Sequence, residues 1–238
     1  MKMLSSIVIP TKDEEENIRL VIEKLEDWIR NQESLNHSVR IVIVDDTPTR
    51  EIERIADKYK WIKYMRGNDN YGDSVRKGLL MSGAWIDGRL ITPDKIIMMD
   101  ADHPAEYCIE MLNMLDSYDM VVGYDTEKQK AIERRVTRWL CNNILGVNLK
   151  HPTCGFIGFT GEVLGFKSTE KTIGCMNTNS KYDMMHVEMI VKGRNKKLDI
   201  GEIPFYPIVG TKHNYNMSRN KQWLIDFLKL TIRSMFWF

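Results

Sequence analysis

Lys95-Ile96-Ile97-Met98-Met99-Asp100-Ala101-Asp102 decides how this chain folds. The run up to Met99 follows Pro93 and is short, continuous and apolar, the pattern of a strand buried on both faces. Two carboxylates one residue apart, just past a strand's carboxyl end, face the crevice where open α/β sheets bind ligands. Carboxylates so placed suit a hard divalent cation held against a nucleotide's diphosphate, because Mg²⁺ takes one or two protein carboxylates plus phosphate oxygens. Asp-x-Asp is also what two solvated loop acids look like, so its weight comes from the rest of the chain.

Working outward, Ser6-Ile7-Val8-Ile9-Pro10 reads as a strand and Thr11 to Asn17 as an acidic helix start. Ile18, Val21, Ile22, Leu25, Trp28 and Ile29 then recur at helical spacing. Arg40 to Val44 is a second apolar strand ending in Asp45-Asp46-Thr47-Pro48, and Trp61 to Arg66 is a shorter third. Strand and helix alternate up to Asp102, which predicts a parallel sheet covered on both faces. Asp13, Asp45, Asp46, Asp100 and Asp102 then gather at one sheet edge, where like charges repel. A bound cation or a set of donor groups offsets that repulsion.

Taken together, these motifs resemble a known family. Val8-Ile9-Pro10-Thr11 with Glu14 and Asn17, Val44-Asp45-Asp46, the Gly72/Gly78 segment, Asp100-Ala101-Asp102 with Pro104 and Glu106, and Val121-Val122-Gly123 are similar to the family 2 glycosyltransferases of GT-A fold. Pro152-Thr153-Cys154-Gly155-Phe156 and Gly201-Glu202-Ile203-Pro204 resemble the dolichol-phosphate mannose synthase-like branch. The likeness runs in order from about Ser6 to Met217. It implies inverting transfer of a sugar from a nucleotide donor, helped by Mg²⁺ or Mn²⁺. Pro10, Glu14 and Asp45 would contact the nucleoside, Asp100 the ribose or diphosphate, and Asp102 the metal. Thr11, Asp46, Ala101 and, from the Gly72/Gly78 segment, Asp73 and Arg76 complete the candidate donor-binding set.

The departures from that pattern fall on the acceptor side. Relatives of this kind carry two more residues between the second Asp and the His-Pro-x-Glu run, whereas His103 follows Asp102 directly. His103 is therefore a candidate third ligand beside Asp100 and Asp102, although His103-Pro104-Ala105-Glu106 also reads as a helix start. Asn70 stands for an expected Gly, Tyr124-Asp125 for Ser-Arg, His151 for an acid, Cys154 for Ser and Ile157 for Arg. The Arg-x-x-Gly-x-Ser-Lys element has become Gly210 to Asn216, leaving Lys212 or His213 as a phosphate clamp. A phosphate acceptor is already an anion, while a hydroxyl acceptor gains from a general base, for which His151 and His103 are candidates. Asp183 and Glu188, on the helical stretch from Tyr182 to Lys192, are weaker ones.

Composition agrees. The 238 residues, 43% hydrophobic, are enough for one sizeable α/β domain. We expect one domain over 1–238, with a donor half to about residue 130, an acceptor half to about residue 220 and an amphipathic helix over 221–238. Four scattered cysteines, Cys108, Cys141, Cys154 and Cys175, without a Cys-x-x-Cys pair, argue against a zinc module or disulfide framework and for a reducing, cytoplasmic setting. The net charge of +1 divides into −7 over Met1–Lys130 and +8 over Ala131–Phe238. A basic acceptor half suits a lipid phosphate, an anionic membrane surface or nucleic acid. The segment Lys221–Phe238 is rich in large apolar residues but too short and charged to span a bilayer. It suits the membrane interface, packing on the domain, or a second subunit.

The sequence thus predicts an α/β GT-A fold and a metal-dependent glycosyltransferase using a GDP- or UDP-sugar, with Asp102, His151 and Lys212 as candidate catalytic residues. On the resemblance the acceptor is a polyprenyl phosphate. A hydroxyl acceptor, such as a glycan or a hydroxymethylated DNA base, is the alternative, and a non-catalytic nucleotide-sugar-binding protein is the third reading.

Overall fold

The computed structural model describes residues 3–34, 37–68, 70–86, 89–127, 132–165, 178, 180, 184–206 and 218–235. The expected alternation comes first: β1 (Met3–Thr11), α1 (Glu15–Ser34), β2 (His37–Asp45), α2 (Glu51–Ala56), β3 (Ile62–Arg66) and α3 (Tyr71–Leu80). A two-stranded antiparallel hairpin, β4 (Ala84–Ile86) with β5 (Arg89–Ile91), precedes β6 (Lys95–Met98). Then come α4 (Tyr107–Met114), β7 (Met120–Asp125), α5 (Ile132–Ile144), β8 (Ile157–Thr160), α6 (Met184–Asn195), β9 (Ile200–Phe205) and α7 (Ser218–Ser234).

Seven of these strands form one sheet in the order β3-β2-β1-β6-β8-β7-β9. All run parallel except β8, which is antiparallel to both β6 and β7. The central strands read as near-continuous apolar runs because both faces are covered. Ile7, Val8, Ile9, Ile41 to Val44 and Ile96 to Met99 are all fully buried. Helix α3 lies close over β1 because residue 78 is glycine: a Cβ there would stand 2.4 Å from Val8 Cγ1.

Register lines up the carboxyl ends. Thr11 pairs with Asp45 and Val8 with Met98, and the amides of Asp46 and Met99 extend the ladder to the carbonyls of Thr11 and Val8. Acids that follow these strands therefore emerge side by side. The strand-end segments of β1, β2 and β6 fall where the sequence predicts, within one or two residues.

Helix α5 is turned the other way from an ordinary surface helix. Cys141 is its buried side, while Ile132, Val136 and Trp139, four and then three residues apart, are 77%, 52% and 60% exposed. Helix α7 buries Phe227 and Leu230 and exposes Leu224, Ile225, Leu228, Ile232 and Met235. No helix among the described residues is long and apolar enough to cross a membrane.

Candidate active site

Three aspartates at the sheet edge each accept a hydrogen bond from a hydroxyl. Asp45, fully buried, takes one from Tyr64 Oη at 3.1 Å and another from the Thr47 amide at 2.7 Å. Asp46 takes one from Ser74 Oγ at 2.8 Å, which ties β2 to α3. Asp100 takes one from Tyr71 Oη at 2.6 Å. Such charge-assisted bonds fix a carboxylate's position among like charges. Asp13, in the turn after β1, adopts a left-handed φ of 57°, a conformation aspartate tolerates, and its amide donates to Thr47 Oγ1 at 2.7 Å. That contact pins the acidic turn against the end of β2.

Glu14 opens onto the same edge. Thr11 Oγ1 donates to its carboxylate at 3.1 Å. Burial, reinforced by the charges of Asp100 and Asp102, raises its pKa from 4.5 to about 7. At neutral pH this carboxyl is poised between its two states because burial, with the neighbouring acids, disfavours its charge.

Asp100, Asp102 and His103 present ligand atoms that all lie within 4.8 Å of one another. The two carboxylates are hard oxygen donors of the kind Mg²⁺ and Mn²⁺ prefer. The imidazole is placed differently from a plain ligand. His103 Nδ1 accepts the Asp100 amide at 3.0 Å, and the His103 amide returns a bond to the Asp100 carbonyl. A neutral imidazole accepting at Nδ1 carries its proton on Nε2. Ligation by His103 therefore requires that amide bond to open, whereas the turn it closes holds the two carboxylates in place as the structure stands. Its ring packs against Phe156 and Phe205.

Beside α5, a cleft is lined by Arg134, Thr137, Arg138, Lys150, His151, Pro152 and Thr153. Arg134 Nη1 lies 2.6 Å from His151 Nε2. Guanidinium has no acceptor, so the arginine donates and the imidazole accepts. Lys150 sits over the Tyr124 ring, 4.2 Å from its centroid, and donates to Tyr124 Oη. Tyr124, met in the sequence as a departure from Ser, thus supports a cation of the cleft. The cleft and the acidic edge are joined by a few residues of chain. From His151 and Thr153 the backbone runs to Gly155, where a Cβ would come within 2.6 Å of Asp100 Oδ2. Only glycine lets the chain press this closely on the carboxylate. Between them, burial with Asp100 and Asp125 near pushes the Cys154 thiol up to about 12, so it stays a neutral packing group.

Pro10, Thr11 and Ala101 are buried at the strand ends, beside Asp45, Asp46, Asp100, Asp102 and Glu14, as the sequence groups them. Asp73 and Arg76, also of that set, engage each other on α3. Arg76 is ion-paired with Asp73 and donates to the carbonyls of Thr178 and Ser180 at 3.2 and 3.3 Å. Arg76 thereby holds Thr178 and Ser180 in this structure. Glu188 is fully buried, accepts the Ser180 amide at 2.8 Å and pairs with Lys192 at 3.1 Å, a structural engagement. Lys212, His213 and Asp183 lie outside the described residues. Sequence reasoning missed Tyr64, Ser74, Tyr71 and His186, whose roles come from long-range contacts with no local motif.

The sequence model of Glycosyl transferase family 2 matches residues 6–171, and the chain belongs to that family. A dolichol-phosphate mannosyltransferase of Pyrococcus furiosus is 22% identical over 99% of this chain, which spans 64% of that relative's length. Glucosyl-3-phosphoglycerate synthase from Mycobacterium tuberculosis, solved with Mn²⁺ and UDP-glucose, superposes with a TM-score of 0.68 at 12% identity, over 96% of this chain and 79% of its own. A mannosyltransferase from Pyrobaculum calidifontis, solved with GDP-mannose and Mn²⁺, gives 0.61 at 13% identity, over 96% and 64%. At such identities the likeness establishes the fold, a mixed α/β GT-A architecture.

Proposed function

We propose that this glycosyltransferase moves a sugar from a nucleoside-diphosphate donor to a polyprenyl phosphate at a membrane surface, with the donor on the acidic edge and the acceptor phosphate in the basic cleft. The observation that carries this reading is the cleft of Arg134, Arg138, Lys150 and His151, joined by one short segment to the backbone that presses on Asp100.

The donor set fits a Mn²⁺ or Mg²⁺ ion, since two carboxylates of the right hardness converge there. When bound, the ion neutralises charge that develops on the departing nucleoside diphosphate. Asp100 and Asp102 would hold it, Asp45 and Asp46 would orient the nucleoside, and Glu14 would release its proton as positive charge arrives nearby. Similar folds solved with UDP-glucose and with GDP-mannose support a nucleotide-sugar donor, and the sheet edge suits either nucleotide. The Pyrococcus relative supports the acceptor class.

The cleft favours an anionic acceptor over a hydroxyl. A hydroxyl acceptor needs a base with a free lone pair within reach. His151, one of the two histidines named as candidate bases, has Nε2 occupied by the Arg134 guanidinium. Placed there, the same pair serves as a phosphate-binding unit, because arginine matches phosphate oxygens with a planar fork. The outward stripe of Ile132, Val136 and Trp139, with Arg135 and Arg138 on the same helix, suits an anionic bilayer that delivers the lipid beside the cleft. The exposed face of α7 suits the same surface.

The test is transfer from a panel of labelled GDP- and UDP-sugars onto a short polyprenyl phosphate with Mn²⁺. The reading expects lipid-linked product from one donor. Donor hydrolysis without lipid product would move the acceptor to another class, and neither outcome would leave only nucleotide-sugar binding.

A further inference from the structure

The hydrogen bond from Tyr71 to Asp100 is one end of a longer chain. Tyr71 Oη also lies 3.1 Å from His186 Nε2, and the two rings meet edge to face with centroids 5.6 Å apart. A carboxylate can only accept, so the single phenolic proton goes to Asp100. The phenolic oxygen must then accept from His186, whose proton sits on Nε2. The relay runs in one direction, from imidazole to phenol to carboxylate. His186 is 1% exposed and belongs to α6, a helix buried along most of its length, so its position is set by the core and not by solvent.

The other carboxylate oxygen is confined as well. Oδ2 faces the bare backbone at Gly155, with no room for a Cβ between them. Asp100 is thereby held from two sides, by a hydroxyl of α3 and by the chain after the basic cleft. Tyr71 meets the edge at Asp100, and His186 meets it through Tyr71. The second arm of the α3–α6 link is Arg76, which grips Thr178 and Ser180 while Glu188 of α6 holds the Ser180 amide.

We propose that Tyr71 and His186 are positioning residues that fix the orientation of the Asp100 carboxylate for the metal and the donor diphosphate, a proposal that rests on the donor-site reading above. Groups that orient a ligand without touching the ion shift metal affinity by about tenfold to a hundredfold when removed. A relay also predicts non-additivity, because cutting it at either link removes the same constraint.

The experiment measures Mn²⁺-dependent binding of UDP, and separately of GDP, by titration calorimetry, with free Mn²⁺ followed by electron paramagnetic resonance. Tyr71→Phe keeps the ring and removes the hydroxyl. It is expected to weaken binding of whichever nucleotide the wild type takes by about tenfold or more, with the thermal midpoint little changed. His186→Leu should fall to the same level, and the double variant no lower. His186→Gln, which retains an N–H donor at the position of Nε2, should recover most of the affinity. A purely structural role would lower the thermal midpoint, leave affinity in the folded fraction intact and give no rescue by glutamine. That result, or Tyr71→Phe with unaltered affinity, overturns the proposal. A wild-type protein that binds neither nucleotide with Mn²⁺ would instead overturn the donor-site reading and this inference with it.

Discussion

Asp45, Asp46 and Asp100 are each fastened by a hydroxyl, from Tyr64, Ser74 and Tyr71, at the end of a buried sheet. The cations of the cleft beside α5 are instead long side chains, carried by a helix and a loop, with Lys150 set on Tyr124 and Arg134 paired with His151. The difference teaches how the two sites would work. The acidic edge is preorganised, so a donor bound there would meet charges already aimed, the arrangement in which electrostatics contributes most to catalysis. The basic cleft carries its charge on long stems, which would attract an anion and tolerate how a lipid phosphate arrives from a surface.

That contrast is open to test at several points. The largest effect belongs to the donor edge: Asp102→Ala should cut Mn²⁺-dependent sugar transfer by about a thousandfold while circular dichroism and the thermal midpoint stay near wild type. Transfer that persists with its metal dependence intact would remove Asp102 from the site. Next, Arg134→Ala with Arg138→Ala should raise the KM for polyprenyl phosphate by about tenfold to a hundredfold, since each charge-assisted bond is worth about 1.5–3 kcal/mol before solvent screening.

Smaller still is the effect of the outward stripe. Val136→Glu with Trp139→Glu should reduce binding to vesicles containing anionic lipid by about tenfold, with transfer to a detergent-dispersed short acceptor unchanged. Equal vesicle binding by both proteins would assign the stripe to another contact.

The smallest expected effect is one of pH. The folded-state pKa of Glu14 stands above its ordinary value, so the folded protein keeps a proton that the unfolded chain gives up. That contribution to stability is complete below about 4.5 and is lost as the pH rises through about 7. Glu14→Gln removes it. The metal-free glutamine variant should lose less thermal stability than wild type between about pH 5 and about pH 8, and parallel curves would show that Glu14 ionises freely in the folded state.

Much of the donor edge was legible because its signals are local. The buried strands announce themselves as apolar runs, and Asp45, Asp46, Asp100 and Asp102 follow them within a residue or two. Parallel pairing then obliges those acids to share an edge. The hairpin of β4 and β5 was also within reach, since Asp87-Gly88 between two short apolar runs is a hairpin signal. The antiparallel insertion of β8 was not, because a four-residue apolar run carries no direction. Tyr71 and His186 lie 115 residues apart and meet only through the packing of α6. Arg76, read as a donor ligand from its neighbourhood, found carbonyl partners about a hundred residues away. His151 was singled out as an oddity of the acceptor motif, but the arginine that occupies its Nε2 comes from α5 and changes what the imidazole can do.

The most direct measurement of the two-site account is side-by-side calorimetry of the two variant proteins, Asp102→Ala and Arg134→Ala with Arg138→Ala, against Mn²⁺-nucleotide and against a short polyprenyl phosphate. The account predicts a crossed pattern: the aspartate variant loses nucleotide and keeps lipid phosphate, while the arginine variant keeps nucleotide and loses lipid phosphate. Loss of nucleotide from the arginine variant would contradict it, because the basic cleft would then be holding the donor's diphosphate and the acceptor would have to bind elsewhere.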